Sequence, residues 1–325
     1  MAKKQTFVGI EQDAVSVRGV RLSLEPGKSK NAKSSWKLLS AEEISGNDLL
    51  QDSKSVDALK KLKSKLGVQS SDKVTICLGG KQTYAAQMDV RKLPDHEMMG
   101  MLKLELRKSM PFEASISIFD YQFLPVEADR PKEAGVPVIV SAATSSHLSK
   151  QVSNYDKAGL PPYHVDVLPI SVANAFWATR SRKEAEASTD AYVILHMGSD
   201  VCTLVIDGGK TPFFNRTFSF SMTDVINNAK KQEAEGLAAD ILLSMNVLIS
   251  EITKSINYYK NTNSGSSIAS VAVMGAHASN PAFAALGKRI GYEVETVQTA
   301  SLVHTIKPTE PGKYDLAIAL AMQAA

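Results

Sequence analysis

Histidine and cysteine are the residues of this 325-residue chain best suited to metal or acid–base chemistry, and it has six of the first and two of the second. His196 closes an apolar β-rich run and His277 follows another. An imidazole there serves as ligand, base or hydrogen-bonded turn residue, and without a neighbouring Cys or Asp-Glu pattern the turn role is favoured. Cys77 and Cys202 lie among β-branched and aliphatic residues with no CxxC or HxxxH spacing, so buried reduced thiols are expected rather than a metal centre or a disulfide. Gly27-Lys28-Ser29 ends like a phosphate-binding loop, but the pattern needs a glycine where Leu22 stands. Met98, Met99, Met101 and Met110 would suit an adaptable apolar surface, although packing within a helix core is the plainer expectation. If residues 213–220 form one strand, Phe214, Phe218 and Phe220 share a face and Phe213 takes the other.

The elements that must carry these residues follow from periodicity. Thr6 to Ile10 and Val15 to Leu22 read as a hairpin turning at Glu11 to Ala14, Trp36 to Ile44 as the returning strand, Val56 to Leu66 as a helix and Val74 to Leu78 as a buried strand. The order recurs in the second half. Ala191 to His196 and Val201 to Ile206 flank a Gly198-Ser199-Asp200 turn, and a third strand runs through Phe213 and Phe218. Ile241, Met245, Leu248, Ile252, Ile256 and Tyr259 mark one long amphipathic helix, and Val271 to Met274 is a strand ending at Gly275. Material without a counterpart lies between the halves: a strand at Tyr84 to Val90, a helix opened by Pro94, strands at Ile116 to Leu124 and Val136 to Ala142, and a helix from Ser146 to Lys157. The repeat of element order predicts an internally duplicated α/β protein with two sheets facing a cleft and an inserted α+β subdomain.

Composition bounds the function. The chain is 44% hydrophobic and 22% charged, which suits a globular protein of about two domains. A net charge of +3 is too mild to predict nucleic-acid binding. Lysine clusters at Lys28 to Lys37 and Lys54 to Lys65 read as solvated surface. No apolar run reaches the length of a membrane span and the basic N-terminus lacks a secretory h-region, so a cytoplasmic location with membrane contact only through partners is expected. The Asn215-Arg216-Thr217 sequon has no meaning in that compartment.

Leu93-Pro94, Lys108 to Phe112 and Phe119-Asp120-Tyr121-Gln122-Phe123-Leu124 resemble the helix, Pro-Phe step and Asp-Tyr strand of the type IV pilus assembly protein PilM family, within the actin-like superfamily. Ile249 to Tyr259 resembles that family's long helix. Val8-Gly9-Ile10-Glu11 resembles its opening phosphate hairpin and Tyr314 to Met322 its closing helix. The resemblance implies two duplicated RNase H-like domains facing a cleft. The first takes residues 1–82, continued by 160–182 and 311–325; residues 83–159 are the inserted subdomain and 190–310 the second domain, and the charged, small-residue-rich stretch 181–189 reads by its composition as the hinge or linker. The resemblance further implies a cytoplasmic scaffold, peripheral to the inner membrane, that binds the tail of a PilN-like inner-membrane protein between the first domain and the subdomain. Other pilus machine proteins are expected partners, and a homo-oligomer is a further option.

The same resemblance places the family's ATP site at Gly9, Glu11, Gln12, Asp13, His196, Gly198, Ser199, Glu235 and Gly275. The residues depart from what Mg²⁺-ATP requires. Asp13 stands where glycine would admit phosphate, and His196-Met197-Gly198 replaces Asp-x-Gly. Ser219-Phe220-Ser221 replaces a glycine pair, Ala234-Glu235-Gly236-Leu237 lacks a lysine, and Met274-Gly275-Ala276-His277 lacks the second glycine of the adenosine turn. No cofactor, metal or catalytic residue is therefore expected. The alternative is an ATPase or small-molecule kinase with Mg-ATP in the cleft, Glu11 holding a metal-bound water.

Overall fold

The computed structural model describes residues 5–27, 34–126, 134–180, 190–208, 211–234, 245–263, 265–275, 277–304 and 312–325. The expectations for Glu235, Ile241 and the 181–189 linker lie outside these residues. Strands β1 (Gln5–Gln12), β2 (Ser16–Glu25) and β3 (Ser35–Ser45) form an antiparallel meander. Helix α1 (Asp52–Leu66) leads back, and β4 (Lys73–Leu78) joins β1 in parallel. The first turn is tighter than the spacing predicts. Glu11 and Gln12 are still paired, opposite Arg18 and Val17. Asp13 is the cause: its Oδ1 accepts the N–H groups of Val15 and Ser16 at 2.9 and 2.7 Å, closing the chain around a compact side-chain turn.

The second lobe repeats this plan with β9 (Asp190–Met197), β10 (Val201–Asp207), β11 (Phe214–Ser219) and β12 (Ser267–Gly275). The sheets run β14-β3-β2-β1-β4-β8 and β11-β10-β9-β12-β13, so five strands correspond in order. The fifth strand of each lobe, β8 (Pro162–Val167) and β13 (Val294–Thr296), escaped the pattern reading. β8 is an edge strand with Tyr163 and His164 exposed, and three residues of β13 carry too little periodicity. β14 (Val303–His304) extends the first sheet.

Amphipathic helices cover the outer faces. In α1, Ala58, Leu59, Leu62 and Leu66 face the first sheet. In the second lobe α5 (Met222–Ala234), α6 (Asn246–Thr262) and α7 (Ala282–Ile290) do the same, α6 with Leu248, Ile252, Ile256 and Tyr259 buried. Met245 caps α6 rather than belonging to it. Two helices without a polar stripe, α4 (Leu168–Ala178) and α8 (Asp315–Gln323), lie between the sheets, where Val172, Phe176, Leu316 and Leu320 pack with Ile194, Val205, Ala272 and Met274. The backbone of α8 rests on β1 at Gly9, where an added Cβ would stand 1.9 Å from the carbonyl oxygen of Ala317.

The inserted subdomain is a sheet of β5 (Thr83–Val90), β6 (Ser117–Phe123) and β7 (Val136–Thr144) in the order β5-β7-β6. Helix α2 (Asp95–Leu106) covers one face through Met98, Leu102 and Leu106. As expected, most of the methionines are core: Met98 is buried, Met101 and Met110 pack against it, and only Met99 is exposed. Helix α3 (Ser145–Lys157) returns the chain to the first sheet. β5 lies against β11 of the second lobe, where Asn215 Nδ2 donates to the carbonyl of Ala85 at 2.7 Å and the Phe213 N–H donates to Gln87 Oε1 at 2.9 Å. Phe214, Phe218 and Phe220 face the core of the second lobe and Phe213 the interlobe core, the division the alternation predicts. Among the described residues no helix is long and apolar enough to cross a membrane.

Candidate functional site

The two lobes meet at the turns of their first hairpins. The Asp13 N–H donates to the Ser16 carbonyl, and the Gly198 N–H to the Val201 carbonyl, both at 2.9 Å. Asp13 and Gly198 are therefore equivalent turn residues. Glu11 and His196, each two positions earlier, are equivalent as well, and they touch: His196 Nε2 stands 2.9 Å from Glu11 Oε1 with both side chains buried. His196 is thus not the turn residue its position suggested. It sits in β9 opposite Thr203 of β10 and Met274 of β12.

Arg18 of β2 joins the pair. Its Nη1 lies 3.5 Å from Glu11 and 3.7 Å from Asp13, and its Nε donates to Glu43 at 2.9 Å. Lys313 completes the chain of charges, 3.0 Å from Glu43. Burial alone would raise the Glu11 carboxyl, but the contact with His196 and the charge of Arg18 outweigh it and hold the group below its ordinary value. Glu43 is treated likewise, lowered by Lys313 and Arg18 against burial. Asp315, at the start of α8, goes the other way. Burial lifts it to about 6, and the negative charge of Glu11 adds to the effect.

The remaining positions have structural tasks. Gln12 turns toward α1, its Nε2 donating to the Leu49 carbonyl and to Ser55 Oγ at 2.6 and 2.9 Å. Gly9 is occupied by its approach to α8. A Cβ on Gly275, at φ 95°, would stand 2.5 Å from the Met197 carbonyl oxygen, and one on Gly198 would stand 2.9 Å from that of Val201. Ser199 donates to Asp200 at 3.1 Å and faces a cleft of about 790 Å³. Ser16, Arg18, Asn47 and Lys313 line that cleft from the first lobe, and Thr223 and His277 from the second. Arg18, Glu43 and Lys313 escaped the sequence reading. The signal for Arg18 was a cation, one of two with Arg21, between the apolar residues Val17, Val20 and Leu22, which implies a buried anion beside it. Among the described residues no three His, Cys, Asp or Glu side chains form a metal-binding group.

A family model described as type IV pilus assembly protein PilM matches residues 9–305, a span that takes in both lobes and the inserted subdomain. The chain belongs to the PilM family. Its fold is similar to that of a chain in a PilM-PilN type IV pilus biogenesis complex, with a TM-score of 0.76 and 18% identity over 98% of each chain. It is also similar to ethanolamine utilization protein EutJ from Carboxydothermus hydrogenoformans, with a TM-score of 0.53 and 10% identity over 98% of this chain and 89% of the other. These likenesses carry the fold, which is actin-like, as the resemblance implied. No curated protein sequence matches the chain significantly. Membership assigns it to type IV pilus assembly.

A second feature of this PilM-family chain lies in the inserted subdomain. Among the described residues β6 pairs with β7 alone, leaving its other backbone edge open. Large apolar side chains crowd that strand and its flanks: Ile116, Ile118 and Val126 are 54, 51 and 49% exposed, and Phe123 is 36%. Natural edge strands are usually short, charged or covered, so an apolar open edge marks an attachment point. The face carrying Ile118 is the one on which its partner Ala143 packs into the core of the first lobe.

Proposed function

We propose that the chain is a scaffold of a type IV pilus-type machine that captures the extended cytoplasmic tail of a PilN-like inner-membrane protein. The single observation that carries this reading is the open, apolar edge of β6. An added strand would pair with the outward N–H and C=O groups of β6, displacing Asp120 Oδ1 from the Tyr121 N–H, while its side chains meet Ile118 on one face and Phe123 on the other, the strand-addition mode of recognition. The name of the PilM-PilN complex supplies the class of partner. The chain would then reach the membrane from the cytoplasmic side through that tail. Titrating a synthetic PilN-like tail peptide into the purified chain tests it: I118E should weaken binding at least tenfold, and unchanged affinity would remove β6 from the interface.

The cleft serves this reading as a joint rather than a catalytic site. Mg²⁺-ATP does not fit the residues present: Asp13 Oδ2 and both Glu11 oxygens are buried carboxylate atoms, which would repel phosphate, and Gly9 and Gly275 are taken up by backbone packing. Arg18 and His196 already contact the Glu11 carboxylate that a hydrated cation would meet. Calorimetry with ATP, with and without Mg²⁺, is expected to give no heat of binding; micromolar affinity with turnover would restore the ATPase reading.

A further inference from the structure

Helix α1 carries Lys54, Lys60, Lys61, Lys63 and Lys65 against Asp52 and Asp57, an excess of +3 in 15 residues. That equals the net charge of the entire chain. The acids lie in the first half of the helix, and Asp52 is engaged by Lys150 and Asn154 at 3.1 and 3.2 Å. Residues Lys60 to Lys65 contain four of the lysines and no acid. The helix dipole accounts for one or two cations in a last turn, not for four. Lys60, Lys61 and Lys65 are exposed: Lys60 points away from the buried Ala58, Leu59 and Leu62, while Lys61 and Lys65 flank that stripe on the side of β3.

Lys61 and Lys65, one turn apart, line a recess of about 450 Å³ with Ser64 and Ser45. Glu43 borders the same recess, but its carboxylate is engaged by Arg18 and Lys313. Two ammonium groups and two hydroxyls around a hollow suit a phosphate group. Lysine is a hydrated point charge on a flexible stem, fitted to a fluid layer of phosphates, whereas selective recognition of nucleic acid draws on arginine forks.

We propose that the C-terminal half of α1 is a membrane-docking face that binds the phosphate headgroups of an anionic bilayer, with one headgroup in the Lys61–Lys65 recess. The proposal rests on the reading of the chain as a scaffold held at a membrane by a partner's tail. That tail would bring the lysines within a Debye length of the headgroups, where each adds about fivefold to binding, and two weak attachments then act together.

Flotation of the purified full chain, without any tail peptide, on vesicles of phosphatidylcholine containing about one third phosphatidylglycerol tests the face directly. Binding is expected on these vesicles and not on pure phosphatidylcholine, with release at about 0.5 M salt. K60E/K61E/K65E should lower the bound fraction at least tenfold, whereas K230E/K231E on the exposed side of α5 should not. Thermal melting checks that both variants fold. No binding to anionic vesicles, equal binding to neutral ones, equal loss in both variants, release by inorganic phosphate at unchanged ionic strength, or tighter binding to a single-stranded oligonucleotide would each overturn the proposal. The tail-peptide titration of K60E/K61E/K65E keeps the two readings apart, because wild-type affinity there leaves partner capture standing whatever the vesicles show.

Discussion

Replacing His196 with alanine would leave the Glu11 carboxylate buried beside an emptied space, with Arg18 as its remaining neighbour. Breaking a buried pair from one side costs about 3 to 5 kcal/mol, so H196A should lose that much in urea denaturation. The double change E11M/H196L should recover most of the loss, because no buried carboxylate is then left beside an empty space. The pair also sets an acid limit. A carboxyl held below its unfolded value contributes fully above about pH 4.5 and loses that contribution as pH falls through the folded value, so wild type should weaken there more steeply than E11M/H196L. Asp315 has the opposite sign. Its folded state binds the proton more tightly, so stability falls as pH rises from 3.8 to about 6 and stays lower above that. An asparagine side chain in its place would keep the oxygen that accepts from Thr299, and D315N should gain roughly 2 to 3 kcal/mol at neutral pH and flatten that window. A D315N variant no more stable than wild type at pH 7 would show that ionised Asp315 is better solvated than its burial implies.

Among the elements, glycines separate packing from turn geometry. G9A would press a methyl group into the backbone of α8 and should cost about 3 kcal/mol or more, because backbone lies on both sides. G67A, at φ 67° with nothing within 4 Å, should cost only about 1 kcal/mol. Equal losses would contradict the contact between β1 and α8. N215A removes one of the two amide links from the second lobe to β5. Amide exchange in Thr83–Val90 should quicken by about tenfold while α2 keeps its protection, and uniform exchange across the subdomain would argue against a local link.

Sequence pattern made the repeated strands legible because they are short β-branched and aliphatic runs bounded by turn residues and buried on both faces, as it made the amphipathic stripes of α1 and α6. It missed α4 and found α8 only through the resemblance of Tyr314 to Met322 to a closing helix, because the apolar residues of both go all the way round where sheets press on both sides. It placed Glu11, Asp13 and His196 near one another through a resemblance. That Glu11 and His196 meet depends on the packing of one lobe on the other, which no local spacing encodes.

At the scale of the whole molecule, the lobes are held by α4 and α8, by the hairpin contact and by the subdomain lying across from the first lobe to the second. Glu11 of the first lobe is met across the hairpin contact by His196 of the second and within its own lobe by Arg18. Closure should therefore not depend on nucleotide. Small-angle scattering is expected to give one radius of gyration with or without Mg²⁺-ATP, and a larger one for H196A; a contraction of wild type on adding nucleotide would count against a self-closed cleft.

The seat of α8 on Gly9 has a bearing on how the chain comes off the ribosome. β1 cannot complete its surroundings until α8 has been made, and the other described strands all lie between the two in the chain. The second lobe, contiguous in the chain, is free to condense earlier. The first lobe must wait with Phe7, Val20 and Leu22 uncovered, so a nascent chain stalled before Asp315 should be the species that chaperones hold.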